Sequence, residues 1–265
     1  MSILRLEVSN NTYTPEKLQL VTVHSDNLNG RRDISIYNAY TTKNDIPVVM
    51  LLHGVYGNNW VWMNLGGVHH VYESLRKQGL TEFVLVMPSD GGLWDGSGYL
   101  PLGEHGNYEA WITDDVRVAV TETVSAVSNN SNWYITGLSM GGYGALRLGA
   151  KHPALYKGIS AHSSITSLND FSHFVNYPTT WYQCSDVNEA NLVYWFEKNY
   201  RLMPPVRLDC GKQDELFTSN QLFIKELFGK GIELQYAWLD GGHEWRYWHQ
   251  NVERTFWFFN QLETE

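Results

Sequence analysis

The pentapeptide Gly137-Leu138-Ser139-Met140-Gly141 fits G-x-S-x-G, a spacing that can present a serine hydroxyl as a nucleophile. Residues 133–136 read as a strand running into it, and residues 142–148 as a helix leaving it. A strand–turn–helix of this kind forces the serine into a strained backbone, and glycines two positions either side remove side chains that would collide. The alternative is a glycine-rich turn carrying a solvated serine, and the flanking elements favour the nucleophile.

A serine hydroxyl is a weak nucleophile at neutral pH, so it needs a general base. A serine in this setting takes an acid and then a histidine from further along the chain. Of His152, His162, His173, His243 and His249, His243 lies in the loop Asp240-Gly241-Gly242-His243-Glu244-Trp245, after one expected strand and before the last helix. His152 and His249 fall on helices, and His162 stands too close to its strand. For the acid, Asp209 and Asp214 both follow the apolar run 206–208. Asp214 has passed the Gly211 turn and can point across to an imidazole, whereas Asp209 is expected to hold the loop by local hydrogen bonds. Asp214 is therefore the expected acid.

An acyl-transfer oxyanion needs two backbone donors, one from the residue after the serine and one from the loop after an earlier strand. Met140 N–H is the first. Leu52-His53-Gly54-Val55-Tyr56-Gly57 ends the apolar run 48–52 and points to Val55 as the second, with Tyr56 as its alternative. His53 precedes the serine and reads as a residue that fixes its loop. Trp60, Trp62, Trp94, Tyr99 and Trp181 gather near these loops or in the aromatic stretch downstream. They are the expected substrate-binding set, by stacking on a sugar ring or an aryl acyl group, against the alternative that large rings merely cover a loop core. There is no G-x-G-x-x-G opening a helix after the first strand, no P-loop and no His-x-x-x-His pair, so no cofactor or metal is expected.

The elements that must position these residues alternate. Residues 1–45 alternate apolar and polar, and Asn29-Gly30 supplies a left-handed turn, which predicts antiparallel strands and a hairpin. Continuous apolar runs then appear at 48–52, 83–87, 133–136, 159–161, 206–208 and 234–239, as strands buried on both faces of a parallel sheet require. Amphipathic stretches at 68–78, 108–127, 141–151, 219–228 and 245–262 lie between or after them. The expected architecture is α/β, with a mostly parallel central sheet, antiparallel N-terminal strands and helices on both faces. No repeat or linker divides the chain, so residues 1–265 form one expected domain. Residues 165–205, dense in aromatics, are its expected cap or insertion over the sheet edge.

Composition closes off other classes. The chain has 28 acidic against 19 basic residues, a net charge of −9, and no basic block longer than Arg31-Arg32, which argues against nucleic acid or an anionic membrane surface as partner. No run approaches the ~18 apolar residues of a membrane span, and Glu7 stands where an export signal would need an apolar core. Two cysteines, Cys184 and Cys210, make no disulfide framework. The expectation is a soluble, cytoplasmic protein.

Four blocks together resemble the Putative-esterase, or esterase D-like, branch of the α/β-hydrolases. They are Met87-Pro88-Ser89-Asp90-Gly91, the block Gly137-Leu138-Ser139-Met140-Gly141-Gly142-Tyr143-Gly144, Asp209-Cys210-Gly211-Lys212-Gln213-Asp214, and Gly241-Gly242-His243-Glu244-Trp245-Arg246-Tyr247-Trp248. That branch includes S-formylglutathione hydrolases, feruloyl, acetylxylan and tributyrin esterases, and mycolyltransferases. The resemblance implies the α/β-hydrolase fold and Ser139, Asp214 and His243 as a catalytic triad, and it is the only ground for expecting a homodimer. Gly54-Val55-Tyr56-Gly57-Asn58 lacks the cysteine that S-formylglutathione hydrolases resembling human esterase D carry after the third strand, and the polymer-acting members are mostly exported. The expected activity is a serine carboxylesterase acting with water on short-acyl esters of small alcohols or sugars through an acyl-enzyme. The alternatives are an S-formylglutathione hydrolase or feruloyl-type esterase, an acyltransferase, or a non-catalytic ligand-binding protein on the same scaffold.

Overall fold

The computed structural model describes residues 2–264, which form one mixed nine-stranded sheet in the order β1-β2-β3-β5-β4-β6-β7-β8-β9. The alternating N-terminal pattern gives β1 (Ile3–Val8), β2 (Leu18–Ser25) and β3 (Gly30–Tyr37), all antiparallel, with β3 also antiparallel to β5 (Val84–Pro88). Asn29, at φ +45°, makes the left-handed step of the β2–β3 hairpin.

The continuous apolar runs become the parallel part: β4 (Val48–Leu52), β5, β6 (Trp133–Leu138), β7 (Gly158–His162), β8 (Val206–Gly211) and β9 (Gln235–Leu239). β4 to β8 are buried along their whole length, because helices cover both faces. β9, at the sheet edge, is partly exposed. Val48, Met50 and Leu52 face one core layer, with α4 (Val116–Thr123), α5 (Met140–Lys151), α6 (Leu192–Asn199) and α7 (Phe217–Gly229). Val49 and Leu51 face the other, with α2 (Val68–Arg76) and α8 (Trp245–Thr264).

The register sets where loops emerge. Leu52 pairs with Gly137, Leu138 with His162, His162 with Asp209, and Gly211 with Leu239, so the C-terminal ends of β4, β6, β7, β8 and β9 share one rim. The chain leaves β4 toward β5 and leaves β6 in the opposite direction toward β7, so the switch point of the sheet lies between β4 and β6, where open α/β sheets form their ligand crevice.

Three expectations need correction. The stretch 108–127 is not one helix: α3 (Tyr108–Ala110) passes through a π-turn at Trp111–Asp115 into α4, which stops at Thr123. The π-turn places the Trp111 indole to donate to Ser89 O at 2.7 Å and buries Asp115 beneath Ser25 and Asn27. A short helix, α1 (Val61–Asn64), forms where none is expected. Residues 165–205 do not sit over a sheet edge. Their last third holds α6, the crossover helix between β7 and β8, and the rest folds back over the rim, where Tyr182 O–H donates to Gly96 O at 2.9 Å. Arg147, fully buried on α5, ties this segment down through Glu189 and is also bound at 2.5 Å to Glu109, with Lys151 bridging the same two carboxylates.

Candidate active site

Ser139 connects β6 to α5 with φ +55° and ψ −121°, a conformation an L-residue adopts only under constraint. Its N–H donates to His162 O at 3.0 Å, and its carbonyl accepts Tyr143 N–H and Ile165 N–H, both at 3.1 Å. The flanking glycines are required: a Cβ on Gly137 would lie 2.2 Å from Gly141 O, and one on Gly141 would lie 2.2 Å from Leu52 O. The turn is that tight because α5 starts directly against the end of β4.

His243 and Asp214 arrive from the ends of β9 and β8, and these two loops are fastened together. Gln213 N–H donates to Gly241 O at 3.0 Å, and Gly241 N–H donates to the Gln213 side chain at 2.7 Å. His243 Nε2 lies 3.0 Å from Ser139 Oγ, while Nδ1 lies 3.1 and 3.0 Å from the two Asp214 oxygens. Burial alone would raise the Asp214 carboxyl, but hydrogen bonds from His243 and from Leu216 N–H, at 2.8 Å, hold it below its ordinary range. An ionised Asp214 keeps the proton on Nδ1 and leaves Nε2 free to accept from the serine. Glu215 brings a carboxylate within 4.8 Å of this pair. Asp214 and His243 are hydrogen-bonded to each other, with Leu216 N–H on Asp214 and Ser139 Oγ on His243.

The Val55 and Met140 amides have no hydrogen-bond partner among the described residues, whereas Tyr56 N–H donates to Asp95 O at 2.8 Å. Of the two residues considered for the second donor, Val55 is thus the one with an amide to offer. A Cβ on Gly54 would come within 3.2 Å of Ser139 Cβ, so this loop abuts the serine. His53 fixes it, with Nε2 accepting Asp90 N–H at 2.9 Å and Nδ1 lying 2.7 Å from Gly54 O.

Asp209 does not hold the loop. It is fully buried at the end of β8, bound to Arg207 at 2.6 Å, His162 at 3.0 Å and Tyr247 at 2.8 Å. His162 and Arg207 continue to Thr255, giving a second polar cluster separate from Ser139. Neither cysteine is poised as a thiolate: burial pushes Cys184 up to about 11 and Cys210 higher still.

The aromatic set divides. Trp62 and Tyr99 are buried, not open to a ligand: the Trp62 indole donates to Leu52 O at 3.0 Å and the Tyr99 hydroxyl to His53 O at 2.9 Å, so both brace the loop after β4. Trp60 and Trp181 are about half exposed. Trp94 joins Trp181, Tyr177, Tyr182 and His105 in one cluster, part of which walls a cleft of about 480 Å³ with Glu104 and Gln183. Sequence reasoning missed Phe174 and Trp248, whose rings flank His243; both are visible as aromatics, but nothing in their spacing shows which side chain they meet.

A mostly parallel sheet with a constrained serine after β6, and an acid and a histidine after β8 and β9, is the arrangement of an α/β-hydrolase. Residues 25–257 match the family model described as "Putative esterase", and the chain belongs to that family. An acetyl esterase from Caldicellulosiruptor saccharolyticus is 27% identical over 229 residues, 80% of this chain and 82% of the relative. Among solved structures, a ferulic acid esterase superposes with a TM-score of 0.79 at 24% identity, covering 97% of this chain and 98% of that one. An S-formylglutathione hydrolase from Staphylococcus aureus gives 0.74 at 18%, covering 96% and 99%. The protein is a carboxylic-ester hydrolase. No helix among the described residues is long and apolar enough to cross a membrane.

Proposed function

We propose that Ser139, His243 and Asp214 are the catalytic triad of a carboxylesterase that cleaves short-acyl esters of small alcohols or sugars through an acyl-enzyme. The reading is carried by the unbroken hydrogen-bonded run from Ser139 Oγ through both ring nitrogens of His243 to Asp214. His243 Nε2 takes the hydroxyl proton as Ser139 Oγ bonds to the acyl carbon, and the carbonyl electrons move onto its oxygen. The Val55 and Met140 amides receive that oxyanion without displacing any existing hydrogen bond. As the tetrahedral intermediate collapses, His243 returns the proton to the departing alcohol. Water then gives its proton to His243, attacks the acyl carbon and releases the acid, restoring Ser139.

The acetyl esterase relative supports a short acyl group. The unpaired Cys184 and Cys210 fit action in a reducing cytoplasm. The chain reads as one domain whose rim segment reaches the site through Phe174. The test is initial rates on p-nitrophenyl acetate, butyrate, octanoate and ferulate for wild type and Ser139→Ala. A short-chain preference that vanishes in the variant is expected. A ferulate preference would move the substrate to aryl esters, and turnover that survives in Ser139→Ala would remove Ser139 as nucleophile.

A further inference from the structure

His243 is held by more than its hydrogen bonds. The Phe174 ring stacks on the imidazole with centroids 4.6 Å apart and planes 25° apart, and Trp248 of α8 meets it edge-on at 5.0 Å and 89°. Phe174 ends the short helix Leu168–His173 on the rim segment, where its N–H donates to Phe171 O at 2.9 Å. Its carbonyl accepts the hydroxyl of Tyr56, the residue after Val55. Contacts therefore run from the Val55 loop through Tyr56 and Phe174 to His243, and from there to Ser139.

We propose that Phe174 is a positioning residue for His243. Its ring face fixes the imidazole plane and favours the imidazolium that forms during attack, while the Tyr56 hydroxyl latches Phe174 to the loop carrying the Val55 amide. The proposal rests on the assignment of Ser139 and His243 as nucleophile and base.

An aromatic face carries negative potential and attracts a cation within about 6 Å of its centroid, but has little such attraction for a neutral ring. His243 is neutral before attack and charged during it, so the interaction is realised in the transition state and raises kcat more than it lowers KM. The charged groups facing His243 are Asp214 and Glu215 from the loop after β8. The rim segment presents Phe174, with His173 beside it; α8 presents Trp248, with Glu244 next to His243 in the preceding loop; and the loop after β4 presents the neutral Tyr56. Leucine at 174 keeps apolar cover over the imidazole and removes only the ring face, so it leaves those charges in place.

The experiment compares wild type, Phe174→Leu, Phe174→Tyr, Tyr56→Phe and Ser139→Ala as full-length protein, by kcat, KM and the pH profile of kcat/KM on p-nitrophenyl acetate, with thermal melts. Phe174→Leu is expected to lower kcat about three- to tenfold with KM within about twofold, and to move the acidic limb down by about half a pH unit. Phe174→Tyr should restore both, and Tyr56→Phe should lower kcat to a smaller extent. A Phe174→Leu enzyme with wild-type kcat and acidic limb overturns the proposal, as does a change confined to KM, which would make Phe174 a wall for substrate. If those results accompany an inactive Ser139→Ala, the positioning role alone is lost. Activity in Ser139→Ala would instead overturn the nucleophile and base assignment beneath it.

Discussion

Asp209 and Asp214 are five positions apart in one motif, and the structure predicts that neutralising them does opposite things. Asp214→Asn keeps the shape of the side chain but places an amide against His243 Nδ1, now 3.0 and 3.1 Å from two carboxylate oxygens. The imidazole then shifts toward the tautomer protonated on Nε2, which cannot accept the Ser139 proton, and the loss in comparable triads is about 10⁴ in kcat. That is roughly 5 kcal/mol of transition-state stabilisation at 1.36 kcal/mol per factor of ten. Asp209→Asn leaves the relay intact but removes the counter-charge 2.6 Å from Arg207, which is itself buried. Breaking a buried ion pair from one side costs about 3–5 kcal/mol, which for a chain of this size lowers the melting temperature by about 6–20 °C. The assay pairs kcat on p-nitrophenyl acetate at 25 °C with thermal unfolding followed by circular dichroism. Asp214→Asn should lose nearly all turnover with the smaller thermal shift, and Asp209→Asn should lose stability while its folded fraction keeps most of its turnover. If Asp209→Asn melts like wild type yet is crippled, and Asp214→Asn keeps more than about a tenth of its rate, the assignment of the acid is wrong.

Two further outcomes follow from other parts of the molecule. Glu109 is held down to about 2, from an ordinary 4.5, because hydrogen bonding from His152 and the charges of Arg147 and Lys151 outweigh its burial. Its folded value lies below its unfolded one, so its contribution, about 3 kcal/mol for a drop of roughly 2.5 pH units, is present above 4.5 and is lost as pH falls toward 2. Melting temperatures recorded from pH 7 to pH 2 should fall through that window, and Glu109→Gln should start lower and fall less; parallel curves would remove Glu109 as a cause. Gly141→Ala places a Cβ 2.2 Å from Leu52 O in a turn that cannot widen without moving β4, so the variant should lose several kcal/mol in urea unfolding or fail to accumulate as soluble protein. A stable, active Gly141→Ala would show that the turn is looser than drawn.

The parallel core was legible because a strand buried on both faces must be apolar throughout: the runs at 48–52, 83–87, 133–136, 159–161 and 206–208 became fully buried strands with ends within three residues of those expected, whereas 234–239 became β9, which is partly exposed because it lies at the sheet edge. The serine, acid and histidine singled out by order along the chain are the ones the structure hydrogen-bonds together. Their positions relative to strand ends carry that information, since the rim collects whatever follows a parallel strand. What was not legible depends on contacts between distant segments. A tryptophan expected in a loop reads the same whether it walls a cleft or, like Trp62 of α1, lies buried with its indole on Leu52 O. Periodicity did not mark the π-turn at Trp111–Asp115, where a single turn takes an extra residue. Nor could it place Phe174 against His243, which depends on how the rim segment folds back.

The strand order has a kinetic side. The two unpaired amides follow β4 and β6, and the relay joins the ends of β6, β8 and β9, with β7 seated between β6 and β8. No hairpin or local helix pair can make any part of this site; each member waits for a parallel pairing closed across a long stretch of intervening chain, the slow class of event in folding. Helices and hydrophobic collapse can form while Ser139 is still an ordinary hydroxyl. Esterase turnover is therefore expected to return later in refolding than secondary structure does, which paired activity and circular-dichroism time courses would check.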